Sequence, residues 1–188
     1  MEKTYFVGES FSKPQSLQSG EYEDCVFQKA ELESQDLTGC KFVDCVFEDS
    51  NLSLATLKNT SFQKVHFKNC KLQGLHFEYC NPFLFEVSFE ACQLNLSSFY
   101  KIKTKGTRFN HCNLREVDFS EADFTLAIFD HCDLQGAIFD QSILEKADFR
   151  LAESFEINPS INRIKKAKFA SNNIHGLISH LDILIDEA

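Results

Sequence analysis

The 188-residue sequence lacks the motifs that most enzymes and metal-binding proteins carry. It has no Cys-x-x-Cys pair and no cysteine–histidine cluster at ligand spacing, which argues against a structural zinc site. It has no glycine-rich phosphate loop, and none of its six histidines has a nucleophile partner at a recognisable spacing. We therefore expect a protein with no metal, no cofactor and no catalytic residues.

The N-terminus lacks the apolar segment of a secretory signal peptide, because Met1 to Thr4 open a polar stretch. An intracellular chain keeps its cysteines reduced. The sequence thus predicts a cytoplasmic protein with free thiols and no contact with a membrane.

What the sequence has instead is a large apolar residue at every fifth position. The series runs from Leu17 to Phe77, slips by two residues near Pro82, and resumes from Leu84 to Phe149. A period of five fits neither the helical period of 3.6 residues nor the strand period of 2. It indicates a small structural unit that repeats and stacks as a solenoid.

A second period of twenty residues emerges once the two-residue slip is subtracted, which predicts four sides per coil. One column of this period consists of phenylalanines that we expect to form a ladder in the core. Its members are Phe27, Phe47, Phe67, Phe89, Phe109, Phe129, Phe149 and Phe169. A neighbouring column contains only leucine, from Leu32 to Leu134.

The position two residues before each large apolar residue is mostly given to small side chains, and all eight cysteines occupy it. Cysteine in this register is best explained as a small hydrophobe that fills an inward corner. Cys70, Cys92, Cys112 and Cys132 should stack on successive coils.

These features resemble the motif of the pentapeptide-repeat proteins, which is a small residue, then Asp or Asn, then Leu or Phe, then two variable positions. Good matches are Ala122-Asp123-Phe124, Cys132-Asp133-Leu134 and Ala147-Asp148-Phe149. The resemblance implies an all-β solenoid, a right-handed quadrilateral parallel β-helix with a short C-terminal capping and dimerisation helix. Residues 1–16 would form the N-terminal cap and first coil, and residues 17–169 the β-helix.

Several positions interrupt the register. Thr104, Ser154 and Pro159 occupy apolar positions, and a two-residue insertion lies near 79–86. We expect the wall to bulge outward at these places. The insertion has two interpretations: a tolerated surface bulge, or a contact point at which Phe83 or Phe85 touches a partner.

After Phe169 the period changes, and residues 170–188 predict a helix capped by Ser171 and followed by a strand at Asp182 to Ile185. The segment has more apolar surface than a cap requires, which favours a twofold dimer over a monomeric cap. The predicted interface consists of Ile174, Leu177, Ile178, Leu181 and Ile183.

The segment from Ile157 to Phe169 also looks like the end of the McbG-type microcin immunity proteins and, more loosely, of the Qnr quinolone-resistance proteins. That resemblance implies a homodimer joined at its C-termini that acts on DNA gyrase and topoisomerase IV by imitating duplex DNA. The net charge of −9 agrees in sign with such a role.

Acidic side chains concentrate in residues 21–49 and again in a band between residues 116 and 148, and we expect this second band to bind the partner. This acidic band comprises Glu116, Asp118, Glu121, Asp123, Asp130, Asp133, Asp140 and Asp148. Residues 52–115 form a basic middle that includes Lys101, Lys103, Lys105 and Arg108, which departs from a uniformly negative surface. Direct nucleic-acid binding is not expected, because Tyr100 is the only aromatic residue interleaved with these cations.

The sequence therefore leads to two functional hypotheses. The first is a non-enzymatic, DNA-mimic-like protein that binds a type II topoisomerase and protects it from quinolone or peptide inhibitors. The alternative is a structural or protein-interaction scaffold of the same repeat family with no topoisomerase role.

Overall fold

The chain folds as a four-sided solenoid of parallel strands, as the two periods predict. The computed structural model describes residues 4–181 and 183. Each short strand pairs in parallel with the strand one coil further along, so that Phe27 lies beside Phe47 and Phe47 beside Phe67. We number the four walls by the order in which the chain follows them, starting with the wall that contains Tyr22.

The first and second walls contain regular strands. The first wall holds Thr4–Val7 (β1), Gly20–Glu23 (β3), Lys41–Val43 (β5) and Ser61–Gln63 (β7). The second wall holds Ser10–Ser12 (β2), Val26–Gln28 (β4), Val46–Glu48 (β6), Val65–Lys68 (β8), Val87–Glu90 (β9), Arg108–Asn110 (β10) and Ile128–Asp130 (β11). Short 3-10 helices span Phe77–Tyr79 and Ile174–Leu177.

The third and fourth walls are tied together by single β-bridges between turns, such as Gln93 with Asn113 and Ser98 with Asp118. Backbone hydrogen bonds on these walls run between coils: the N–H of Leu94 donates to the carbonyl of Asn113, and the N–H of Asn113 donates to that of Cys92, both at 2.9 Å. Each coil therefore depends on its neighbours to satisfy its backbone groups.

The core is a stack of aromatic rings. Successive rings of the phenylalanine ladder lie nearly parallel, with interplanar angles of at most 16° and centroids 4.4 to 5.5 Å apart, through all eight positions from Phe27 to Phe169. Rings from the other walls meet this ladder edge-on, as Phe99 of the fourth wall meets Phe109 at 5.9 Å and 87°. The rings thus pack in both of the arrangements that aromatic pairs prefer.

All eight cysteines are buried free thiols. Cys70 and Cys92 donate weak hydrogen bonds to the carbonyls of Phe47 and Phe67, each at 3.3 Å, so the four cysteines of the third wall follow the coil stacking. Burial raises the pKa of the Cys45 thiol to about 12. The thiols therefore act as small inward groups, as their spacing predicts.

The insertion changes which residue points inward. The fivefold series predicts Leu84 as the inward residue, but Leu84 is exposed and Phe85 is buried. Leu84 takes a φ of 54°, which turns the chain so that the next side chain enters the core. Ser154 does the same with a φ of 55°, and Phe155 fills the core in its place.

The other two interruptions differ from each other. Thr104 remains buried in the apolar column without a bulge, because its Oγ1 lies 2.9 Å from Oγ1 of Thr107 and the two hydroxyls satisfy one another. The outward bulge expected at Thr104 is therefore wrong. At Pro159 the chain does turn outward, and Ile157 is the buried residue of that corner.

The C-terminal helix predicted from Ser171 is also wrong. The chain forms only the one-turn 3-10 helix, preceded by Asn173 instead of a Ser171 cap. Asn173 donates from Nδ2 to the carbonyls of Phe149 and Ala152 at 2.9 and 3.0 Å, and this ties the segment across the last coil. The predicted strand lies outside the described residues except for Ile183.

Gly176 allows the C-terminal segment to pack closely against the last coil. Its carbonyl accepts a hydrogen bond from the N–H of Ile157 at 2.8 Å. A Cβ at this position would lie 2.2 Å from the carbonyl oxygen of Phe155, so only glycine permits the contact. A short segment gains more from these contacts than from an isolated helix, which is marginal at this length.

Removing one ring from the ladder should weaken the whole solenoid. Phe109 is fully buried and stacks 5.1 Å from both Phe89 and Phe129. We expect Phe109→Ala to lower the free energy of unfolding by about 3–5 kcal/mol, measured by urea denaturation, because it leaves a ring-sized cavity. The exposed Phe83→Ala serves as the control and should change stability by less than about 0.5 kcal/mol. Equal effects of the two substitutions would contradict the ladder.

Candidate functional site

The acidic band encircles the rod and does not form a single face. Asp123 lies on the first wall, Asp130 and Asp148 on the second, Glu116 and Asp133 on the third, and Asp118, Glu121 and Asp140 on the fourth or its corner. The band thus offers negative charge in every direction around the coils that precede the C-terminal end.

Four of these carboxylates stabilise the turns that follow them. The Oδ1 atom of each accepts a hydrogen bond from the backbone N–H two residues later, at 2.8 to 3.2 Å. The residues are Asp118, Asp123, Asp133 and Asp148. This is the Asx-turn role that Asp and Asn play generally. Asn113 makes the same contact at 3.1 Å, so these turns require the oxygen acceptor and not the negative charge.

Lysine and arginine side chains form ion pairs with some carboxylates of the acidic band. Lys101 lies 3.4 Å from Glu121, and Arg115 lies 3.6 Å from Asp133, in each case one coil away. Asp148 binds Arg150 through two oxygens and also faces Lys168. Within residues 4–181, Glu116 and Asp140 form no ion pair, so they project the least compensated charge of the band.

Hydrogen bonding by Arg150, assisted by the charges of Arg150 and Lys168, holds the pKa of Asp148 below its ordinary value of 3.8. Asp130 is partly exposed, and its Oδ1 lies 2.9 Å from Nδ1 of His131. The band therefore combines structural carboxylates with a smaller set that is available to a partner.

The basic middle presents several exposed cations to solvent. Lys103, Lys105 and Arg108 are exposed and form no ion pair within the described part of the chain. Lys101 differs, because its Nζ lies over the ring of Tyr100 at 4.7 Å as well as beside Glu121. One coil earlier in the chain, the insertion presents Phe83, of which 67% is exposed.

The predicted dimer residues divide into two groups. Ile174, Leu181 and Ile183 are about half exposed or more, at 53%, 47% and 53%. Leu177 and Ile178 are half-buried, and Leu177 packs against the chain's own core. Sequence reasoning missed Ile161 and Leu151, which are exposed near the same end. Their outward positions in the fivefold register were the available signal.

Among the residues that the structure describes, no three or more Cys, His, Asp or Glu side chains come together in a group that could hold a metal ion. No described helix has the length and apolar character needed to cross a lipid bilayer.

A family model for the pentapeptide repeat region matches residues 21–82 and 76–158. The chain belongs to the pentapeptide-repeat family. A comparison with curated protein sequences finds no match.

Solved pentapeptide-repeat structures share the fold along nearly the whole chain. A trypsin-treated variant of QnrB1, a plasmid-mediated fluoroquinolone resistance protein, aligns over 97% of both chains with a TM-score of 0.55 and 17% identity. A second such variant covers 99% of this chain and 100% of its own, with a TM-score of 0.51 and 18% identity. HetL, from the cyanobacterium Nostoc sp. strain PCC 7120, aligns over 88% of this chain and 85% of its own, with a TM-score of 0.50 and 14% identity. At these identities the likeness concerns the fold.

The lowered pKa of Asp148 predicts a pH-dependent loss of stability. A carboxylate whose folded-state pKa is depressed stabilises the protein above its unfolded pKa and loses this contribution as pH falls. We expect Asp148→Asn to unfold at a lower temperature than the parent protein at pH 7, with the difference shrinking below about pH 4. Thermal unfolding at several pH values measures both. A difference that stays constant down to pH 2 would show that the ion pairs do not stabilise this repeat.

Proposed function

We propose that this pentapeptide-repeat protein is a non-enzymatic rod that binds a type II topoisomerase, DNA gyrase or topoisomerase IV, and protects it from quinolone or peptide inhibitors. The observation that carries the proposal is the acidic band, which surrounds the rod and leaves Glu116 and Asp140 without cationic partners in the described residues. Shared fold with QnrB1, a fluoroquinolone resistance protein, supports the proposal along the whole length of the chain.

The physical basis of the proposal is that carboxylates of the rod take the place of DNA phosphates in a basic groove. A groove that binds DNA is lined by Lys and Arg that neutralise phosphates, and it releases counterions when it does so. Carboxylates on a narrow rod can occupy the same cations. The repeat spacing favours such binding, because stacked coils place charged side chains at regular, strand-like intervals along a rigid axis. The rod has a filled core and convex walls, which suit it to binding a groove better than to enclosing a substrate.

A protein-interaction scaffold with no topoisomerase role is the second candidate. The ion pairs of Lys101 with Glu121 and of Arg115 with Asp133 favour it, because they dilute the negative surface that DNA imitation requires. HetL, a pentapeptide-repeat protein involved in heterocyst differentiation regulation, illustrates that the fold serves other roles.

We also propose that two copies associate through their C-terminal ends. Ile174, Leu181 and Ile183 expose apolar surface beside the last coil, and Ile161 and Leu151 enlarge it. A twofold axis at this end would bring the two acidic bands close to the dimer centre, doubling the negative surface available to a single partner.

A supercoiling assay tests the leading proposal. The purified protein should inhibit DNA gyrase, or rescue its activity from a quinolone or from microcin, at micromolar protein. The variant Asp130→Lys/Asp140→Lys should lose this effect and keep its fold, since both residues lie at variable outward positions.

The matched control is Asp24→Lys/Glu31→Lys, which makes the same charge change at exposed positions near the other end of the rod. It should retain the effect. If the parent protein neither inhibits nor rescues either topoisomerase, the scaffold becomes the better explanation. If both variants are equally impaired, net charge and not the acidic band is responsible.

The proposed dimer is tested by molar mass in solution. Size-exclusion chromatography with light scattering should give a dimer for the parent chain and a monomer for Ile174→Glu/Leu181→Glu, because a buried charge in an apolar interface is unfavourable. The control Leu96→Glu alters an exposed leucine far from this end and should remain dimeric. A monomeric parent chain at micromolar concentration would rule out the interface.

A further inference from the structure

The first wall is broken between two successive coils. Its sheet ends at β7, and its bridges resume only where Lys103 pairs with Asp123. In the described chain no backbone hydrogen bond joins residues 80–86 to residues 101–106. Residues 80–86 instead bond to the preceding coil, where the N–H of Asn81 donates to the carbonyl of Thr60 at 2.8 Å. Residues 101–106 bond to the following coil, where the N–H of Thr104 donates to the carbonyl of Asp123 at 3.0 Å.

The break contains two hollows with different linings. The larger, of ≈ 560 Å³, is lined by the apolar groups of Cys80, Pro82, Phe85 and Ile102, together with Glu78, Tyr100, Lys101 and Lys103. The smaller, of ≈ 280 Å³, includes Lys64, Glu86, Lys105 and Arg108. Their sizes suit one or two large side chains and not a whole folded domain.

Unpaired positive charge surrounds this break, although the protein as a whole is acidic. Lys103 lines the larger hollow, and Lys105 and Arg108 line the smaller one. All three are exposed and form no ion pair with residues 4–181. Two carboxylates also lie at the break: Oε1 of Glu78 is 2.9 Å from Nδ1 of His76, and Glu86 is exposed, so the three unpaired cations outnumber the carboxylates. The surface is therefore complementary to an anionic partner.

Three large apolar side chains are exposed on the insertion that forms one side of the break. Tyr79, Phe83 and Leu84 are exposed by 61%, 67% and 63%. The loop that presents them is held by a hydrogen bond from the N–H of Phe83 to Oδ1 of Asn81, at 2.9 Å. A group of exposed apolar residues fixed in this way is typical of a contact surface.

We propose that this break is the docking site for an extended acidic segment of a partner protein that carries one or two large apolar side chains. The apolar side chains fill the hollow over Phe85 and Ile102, and the flanking carboxylates pair with Lys103, Lys105 and Arg108. A nucleic acid would supply the negative charge, but the polar edges of its bases would find few partners among the apolar groups of Pro82, Phe85 and Ile102 in the larger hollow. The site borders the acidic band, because Lys101 at the larger hollow pairs with Glu121, but it does not depend on a topoisomerase partner.

Fluorescence anisotropy with a labelled peptide tests the proposal on the full chain. The probe is a synthetic eight-residue peptide with a central Leu-Phe pair flanked by three Asp or Glu residues on each side. We expect saturable binding that weakens by about tenfold or more in Lys103→Glu/Lys105→Glu, and also in Phe83→Ser. Phe83 is exposed, so its substitution leaves the fold intact, and circular dichroism verifies this for each variant.

The matched control is Lys29→Glu/Lys71→Glu, which reverses two exposed lysines that line a different hollow and should bind the peptide normally. A peptide with Gly-Ser in place of Leu-Phe should bind at least about tenfold more weakly. The absence of binding at millimolar peptide overturns the proposal. Equal binding of the Gly-Ser peptide, or stronger binding of a DNA oligonucleotide with the same sensitivity to Lys103 and Lys105, also overturns it and identifies a general polyanion surface.

Discussion

Stacking of one coil on the next is the constraint on which this molecule depends. A single coil neither buries its phenylalanines nor satisfies its backbone, since the N–H of Asn113 needs the carbonyl of Cys92 in the preceding coil. Stability is therefore a sum over neighbouring pairs of coils. The same requirement explains the sequence: outward positions that make no turn hydrogen bond are the least constrained, whereas an inward position must present a side chain that fits between the rings above and below it.

The constraint also explains which parts of the fold were predictable. Phenylalanines twenty residues apart must lie in one column, and Phe67 still stacks on Phe89 although the two-residue insertion lies between them in the chain. The spacing did not predict which side chain enters the core where a coil is irregular. Leu84 and Ser154 occupy the inward register, but a positive φ at each passes that role to the phenylalanine that follows. Phe is the larger side chain in both cases, so burying it removes more apolar surface from water than the regular register would.

The C-terminal end and the candidate surfaces were harder to predict for a different reason. The helical pattern from Ser171 was real, but Asn173 and Gly176 make specific contacts with the last coil, and no periodic pattern encodes those contacts. The acidic band could be predicted from the number of acidic residues between positions 116 and 148. Its pairing with Lys101, Arg115 and Lys168 depends on residues about twenty positions away, which become neighbours only through the coil period.

Outward charges on such a rod are constrained by the fold before any partner acts on them. Side chains at equivalent positions of neighbouring coils lie at strand spacing, where opposite charges attract and like charges repel. Pairs such as Lys41 with Glu21 and Lys68 with Glu48 relieve that repulsion on the first two walls. Charges that the described chain leaves unpaired need another explanation. The carboxylates of Glu116 and Asp140 and the cations of Lys103, Lys105 and Arg108 meet this criterion at separate places, which favours two partner surfaces of opposite sign over a uniform imitation of DNA.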